Sequence, residues 1–136
     1  MALTADKKTE WMEGRDIVIK GVVLQTIYAG ALVMGVFDEQ GMPAFQPAAD
    51  VSGPFRVIGV ALEGKECADN IQSLSVRTKG IFKFKFNGTP NLKPLGMDVY
   101  VVDDETVSCD ATTNNIVAGK LVKVDDDPNY AWVRIG

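Results

Sequence analysis

Three groups of residues in this chain have the types and spacing that chemistry uses, and each also has a plainer reading. Asp103-Asp104-Glu105 and Asp125-Asp126-Asp127 each place three carboxylates side by side, the hard oxygen ligands that Ca²⁺ takes. Neither run has the alternating acidic pattern of an EF-hand loop. Consecutive aspartates before proline or polar residues are turn formers, so both runs read as solvated hairpin turns, and no metal site is expected. The run from Lys79 to Phe86 interleaves lysines with aromatics, the composition of a single-strand nucleic-acid groove. It follows the RNA-recognition signature only superficially, because the aromatic stacking positions of that signature fall on Ile81 and Lys83. Strict alternation instead predicts a strand with Phe82, Phe84 and Phe86 on a core face and Lys83 and Lys85 on the other. The third group is Cys67 and Cys109, which lack C-x-x-C spacing and read as two unpaired thiols, with a disulfide between them as the alternative.

The chain contains no histidine, which removes the commonest general base and the commonest transition-metal ligand together. No glycine-rich phosphate loop is present, and the 13 glycines sit singly where strands would end. No catalytic and no cofactor-binding residue is therefore nominated, and the expectation is a binding protein and not an enzyme. Acidic residues outnumber basic ones 18 to 14, for a net charge of −4. Phosphate neutralisation supplies most of the affinity of nucleic-acid binders, so this balance predicts no nucleic-acid partner. The longest mainly apolar run, Ala29 to Phe37, is far below the roughly 20 residues that span a bilayer, and no membrane partner is expected. The first ten residues have no apolar core of a secretory signal, which predicts synthesis in the cytosol.

These groups must be positioned by short strands. Residues 1–15 are polar and charged, with Trp11 and Met12 as their main large apolar groups, and read as an N-terminal arm. Trp11 has two readings of equal standing: an anchor for a partner, or a side chain that folds back onto the domain. From residue 16 to 136 the texture is β-branched and aromatic runs separated by Gly, Pro, Asn and Asp, the pattern of many short strands. The expected strands are Ile17–Tyr28 (broken near Gly21), Ala31–Phe37, Phe55–Leu62, Ser73–Thr78, Ile81–Phe86, Asp98–Val102, Ile116–Val124 and Tyr130–Ile135. The fold class is all-β, a small single-domain barrel or sandwich of antiparallel strands.

A weak internal repeat runs through this pattern. Gly30-Ala-Leu-Val33 with Asp38-Glu39 lies over Gly96-Met-Asp-Val99 with Asp104-Glu105. Ile58-Gly59-Val60-Ala61-Leu62 then lies over Ala118-Gly119-Lys120-Leu121-Val122, and Val76-Arg77 over Val133-Arg134. The repeat reads either as a duplication or as convergent hairpin grammar. Glycine within a strand signals a bulge or a close backbone approach, so Gly59 and Gly119 are expected to bend strands and help a barrel close.

In order along residues 16–136, Gly30-Ala-Leu-Val33, Val57-Ile-Gly-Val-Ala-Leu-Glu-Gly64 and Thr78-Lys-Gly-Ile-Phe82 come first. Val99-Tyr-Val101 with Asp110-Ala-Thr-Thr113 follows, then Val117-Ala-Gly-Lys-Leu-Val-Lys123 and Trp132-Val-Arg-Ile135. The chain thereby resembles a family of small tailed-phage structural proteins encoded near the major capsid gene, the capsid decoration (cement) proteins, whose members have often been labelled RecA/RadA-like phage recombinases. Two departures stand out: Lys120 follows Gly119 where the family usually has an apolar residue, and the loop Asn87–Leu95 is longer and richer in proline. The resemblance implies a barrel-like fold that forms a homotrimer and binds the major capsid protein on the outer capsid surface of the virion. It does not support recombinase activity, because the chain lacks a phosphate loop. A head-fibre base or tail protein fits the same features, and an OB-like single-strand-binding barrel is a third reading. The interface residues expected are Trp11 and Met12 in the arm, and Asn87, Pro90, Leu92 and Pro94 in the loop.

Overall fold

A computed structural model describes residues 16–136. They form ten strands: β1 Asp16–Val23, β2 Leu32–Phe37, β3 Pro43–Pro47, β4 Arg56–Ala61, β5 Ile71–Arg77, β6 Gly80–Asn87, β7 Asp98–Val101, β8 Thr106–Ser108, β9 Val117–Val124 and β10 Tyr130–Ile135. The all-β barrel expected from the sequence is present as a pair. Strands β1 to β5 close one five-stranded barrel in the order β1-β3-β2-β4-β5, and β6 to β10 close a second in the order β6-β8-β7-β9-β10. Counted from its own first strand, each barrel is wired 1-3-2-4-5, and in each the first and third strands are the parallel pair.

The internal repeat is therefore carried by the fold itself, residue by residue. Val33 pairs with Gly59 in the first barrel, and its counterpart Val99 pairs with Gly119 in the second. Both pairings slip immediately afterwards: Met34 faces Val57, skipping Ile58, and Tyr100 faces Val117, skipping Ala118. Each slip is a β-bulge, which bends the strand and increases its twist. A Cβ on Gly59 would run into the Arg77 carbonyl and lie 2.7 Å from Val76 Cγ1. A Cβ on Gly119 would run into the Arg134 carbonyl and lie 2.9 Å from Val133 Cγ1. The Val-Arg pairs matched in sequence thus play one role: they press against the bulge glycine and let the fourth strand reach the fifth. Gly30 and Gly96, also matched, both adopt positive φ (86° and 76°) just before the second strand of their barrels.

The sequence reading missed two strands, and they are the same strand of each repeat. β3 is bounded by Pro43 and Pro47, and β8 has only three residues; each forms an antiparallel hairpin with the strand before it and a parallel ladder with the first strand of its barrel, and its place comes from that pairing and not from an alternating pattern. The first expected strand is also corrected. β1 ends at Val23 and not at Tyr28: the Leu24 N–H makes the last bond of the parallel ladder, to the Phe45 carbonyl (2.7 Å), and Ile27 pairs with Lys65 in an isolated bridge. β1 is not broken at Gly21 either: glycine is required there because the Pro43 carbonyl and the Phe45 ring occupy the space a side chain would need.

Packing explains the apolar composition. Val33, Val76, Leu74, Phe45, Val23, Ile27 and Ala61 fill the first barrel. Phe84, Phe86, Val99, Val101, Val107 and Val133 fill the second, and Leu32, Met34 and Val60 from the first barrel belong to the same cluster. Leu32-Val-Met34 is a continuous buried run because β2 has a barrel on each face. The barrels are also joined by polar contacts: the Leu32 N–H donates to the Asp104 carbonyl (2.8 Å), and Asp50 accepts the backbone N–H groups of Thr113 (3.0 Å) and Asn114 (2.9 Å).

The alternating strand behaves as its pattern predicts. Phe84 and Phe86 are buried, Phe82 packs at the edge of the same cluster, and Lys83 and Lys85 are exposed. Lys83 pairs with Asp125 (3.4 Å) and Lys85 with Glu105 (2.9 Å). The aromatics a stacking groove would use therefore face the core, and the two lysines already have carboxylate partners. In a fluorescence anisotropy titration at about 0.1 M salt, labelled single-stranded DNA should show no saturable binding at micromolar protein. Sub-micromolar binding would mean that a phosphate-binding surface exists elsewhere on the chain.

Candidate functional site

The acidic runs make the turns their sequence suggests. Asp103 Oδ1 accepts the Glu105 N–H (2.9 Å), Asp125 Oδ2 that of Asp127 (3.3 Å), and Asp127 Oδ1 that of Asn129 (3.1 Å). Asp125 also accepts the Trp132 indole N–H at 3.0 Å. That bond, with smaller contributions from the Asp127 N–H and Lys83, holds its carboxyl below the usual range. The two thiols are unpaired: Cys67 is exposed, and Cys109 is buried, which pushes its ionisation upward. Among the described residues no cluster of three or more potential metal ligands occurs.

The most constructed surface feature is the connection from β6 to β7, residues 88–97. Its base is fixed first. Gly88 has φ of 105°, and a Cβ there would sit 2.8 Å from Cys109 Sγ and 2.9 Å from Asp110 Oδ2. This close approach lets the Thr89 N–H reach Asp110 Oδ2 at 3.1 Å. From the middle of the loop the Lys93 ammonium returns to the same Asp110 carboxylate and to the Cys109 carbonyl (3.2 Å). The Lys93 N–H closes a turn on the Pro90 carbonyl (3.0 Å), and the Met97 N–H a second on Pro94 (3.3 Å). Gly96 and Met97 then join β9 through Leu121. Two prolines restrict φ and lower the entropy lost in ordering the segment.

What this frame displays is apolar. Leu92 is 99% exposed and has φ of 60°, a left-handed conformation rare for a branched side chain, and Leu95 is 93% exposed. A single exposed leucine is ordinary, but two on a loop clamped by an ion pair and two turns form a presented surface. The corresponding connection of the first repeat, between β1 and β2, buries Ile27 completely and exposes Tyr28.

Of the residues expected to form an interface, Asn87, Pro90, Leu92 and Pro94 are brought together here. Asn87 ends β6 and pairs with Ser108, Pro90 is half-buried, and Pro94 is exposed. Trp11 and Met12 lie outside the described residues. Sequence reasoning missed Leu95 and the Lys93–Asp110 clamp; a lysine between two prolines was the available signal. The departure at Lys120 is explained by its cross-strand partner: Lys120 faces Asp98 in the ladder and forms an ion pair with it.

The clamp has a defined pH window. The Lys93 hydrogen bond first, and the Thr89 N–H second, hold the Asp110 carboxyl below its ordinary value; the bond to Asp110 raises Lys93 in turn. A lowered carboxyl contributes stability above its unfolded value of about 3.9, and loses it as pH falls through the folded value. A raised lysine contributes below about 10.4 and loses it as pH rises through its folded value. The loop is thus held from about pH 4 to about pH 10. The Thr89 amide proton resonance should follow Asp110 with a midpoint below about 3.9, and should lose that titration in Asp110→Asn. A midpoint at the ordinary carboxylate value would show that the clamp does not form in solution.

No protein-family model and no curated protein matches the chain. Among solved structures, its fold is similar to that of the head fibre gp8.5 N base of bacteriophage phi29. The TM-score is 0.54 at 11% sequence identity, covering 89% of this chain and 94% of that one.

Proposed function

We propose that this chain is a structural protein of a phage virion that acts by binding, attaching to the outer surface of the capsid as a decoration subunit that stabilises the shell. The observation that carries the reading is the clamped loop 88–97, which holds Leu92 and Leu95 almost fully in solvent. Burying such leucines against a partner contributes about 1.5–3 kcal/mol each, and a pre-ordered loop loses little entropy on docking. The likeness of fold to a phage head fibre base supports the class. The partner is the major capsid protein, with a homotrimer as the attaching unit.

A second reading, the base of a head fibre, is favoured by that same structural likeness. The two readings differ in copy number. Purified protein mixed with expanded capsids of a phage that encodes it, but stripped of it, should co-sediment saturably. Saturation in proportion to the capsid lattice identifies a decoration subunit, and saturation at a few copies per particle identifies a fibre base. No co-sedimentation would remove both.

A further inference from the structure

The two barrels follow one plan, so each shows what the other lacks. The ends of the barrels where β1 and β6 begin are filled differently. In the second barrel Phe82 stands opposite Val133 and Phe84 opposite Ala131, and the two rings lie 6.3 Å apart across that end. At the matching places of the first barrel stand Ile17, opposite Val76, and Ile19, opposite Leu74. With smaller side chains there, the end stays open as an apolar groove of about 500 Å³. Ile19, Val36, Phe37, Pro43, Phe45 and Ile58 form its walls. Among the described residues, the ladder between β1 and β3 begins only at Val22. Phe37, at the rim, is 73% exposed.

We infer that this groove is the seat of the chain's own N-terminal segment, with Trp11 and Met12 entering it. Three observations select this occupant over a foreign one. The first is where the segment joins: residues 1–15 lead directly into Asp16 at the open end of β1, and Trp11 is only five residues away, a reach of at most roughly 17 Å. A tether that short gives the segment a local concentration in the millimolar range, which a separate partner must exceed. The second is charge. Arg56 is the one charged residue lining the groove and has no partner among the described residues, whereas Trp11-Met12 is flanked by Glu10 and Glu13. The third is volume: Ile17 and Ile19 stand where the second barrel has Phe82 and Phe84, which leaves room beside Phe37 and Phe45 for one more large side chain, and Trp11 is the large aromatic within reach of it.

The test uses the free full-length protein, without capsids, so its outcome is independent of the attachment reading. Trp132→Phe leaves Trp11 as the sole tryptophan. Its emission should be blue-shifted in the folded protein relative to the urea-unfolded chain, and iodide quenching should be several-fold weaker. Ile19→Phe in the same background copies Phe84 and fills the groove, so it should return Trp11 to solvent-like emission and quenching. Leu92→Glu should leave both unchanged. Solvent-like Trp11 in the Trp132→Phe protein overturns the inference, and so does an Ile19→Phe variant that leaves Trp11 protected. Location is fixed by Met12→Cys with Pro54→Cys in a Cys67→Ser background under oxidised glutathione. A disulfide within one chain is expected; a disulfide-linked dimer, or none, contradicts seating of the chain's own segment.

Discussion

Replacing Gly59 by alanine is expected to destabilise the protein by on the order of 3 kcal/mol, and Gly119→Ala to do the same in the other barrel. The added methyl at each site meets a backbone carbonyl, of Arg77 or Arg134, that the closing ladder holds in place. A carbonyl in a paired strand cannot turn aside as a flexible side chain would, so the strand itself must shift. That costs ladder hydrogen bonds as well as packing. For a domain of this size the loss lowers the melting temperature by roughly 9–15 °C, read by calorimetry or circular dichroism. Gly30→Ala and Gly41→Ala meet nothing within 4 Å and carry only the cost of a positive φ, so both should be clearly milder. Gly59 also has φ of 155°, so its alanine variant should be the more damaged of the two, and a neutral Gly119→Ala would contradict the close approach at the second bulge.

The second large effect concerns attachment and leaves the fold untouched. Leu92→Glu with Leu95→Glu places two charges where the proposed contact excludes water. Both side chains are almost fully exposed, so the free protein should keep its melting temperature within a degree or two. Affinity for capsids should fall at least about a hundredfold, or about 2.7 kcal/mol, by co-sedimentation. Lys93→Ala, which releases the clamp but keeps both leucines, should weaken attachment by a smaller factor, because the loop must then be ordered on binding. Unchanged capsid affinity in the double variant would place the contact on another face.

Much of this fold was legible because the signals were local. Tyr130–Ile135 is a strand with the bounds its pattern gives, and the Phe82-Phe84-Phe86 alternation places the core face of β6 correctly. The single in-strand glycines at 59 and 119 announced close approaches, and the structure puts each against the carbonyl of a matched arginine. β3 and β8 were hidden because two prolines in one and three residues in the other leave no periodic pattern to find, although each forms a hairpin with the strand before it as well as a parallel ladder. That both misses fall on the third strand of a repeat also explains why one barrel was expected. Without those strands, neither half has enough elements to close alone.

The loop was legible as an unusual segment and illegible as a device. Its prolines and length stood out in the sequence, but Asp110 is 17 residues from Lys93, and only the parallel pairing of β6 with β8 brings it to the base of the loop. Leu92 and Leu95 carry no mark that separates them from core leucines such as Leu74. Only the structure shows both of them in solvent on a loop held by the Lys93–Asp110 ion pair.

A cryo-electron microscopy reconstruction of native particles of a phage that encodes this chain would show directly where it sits. Density for paired five-stranded barrels is expected on the outer face of the head, with residues 88–97 turned toward the shell and Leu92 and Leu95 in contact with the major capsid protein. Density for this chain inside the head or in the tail, or on the outer face with that loop pointing into solvent, would contradict this placement.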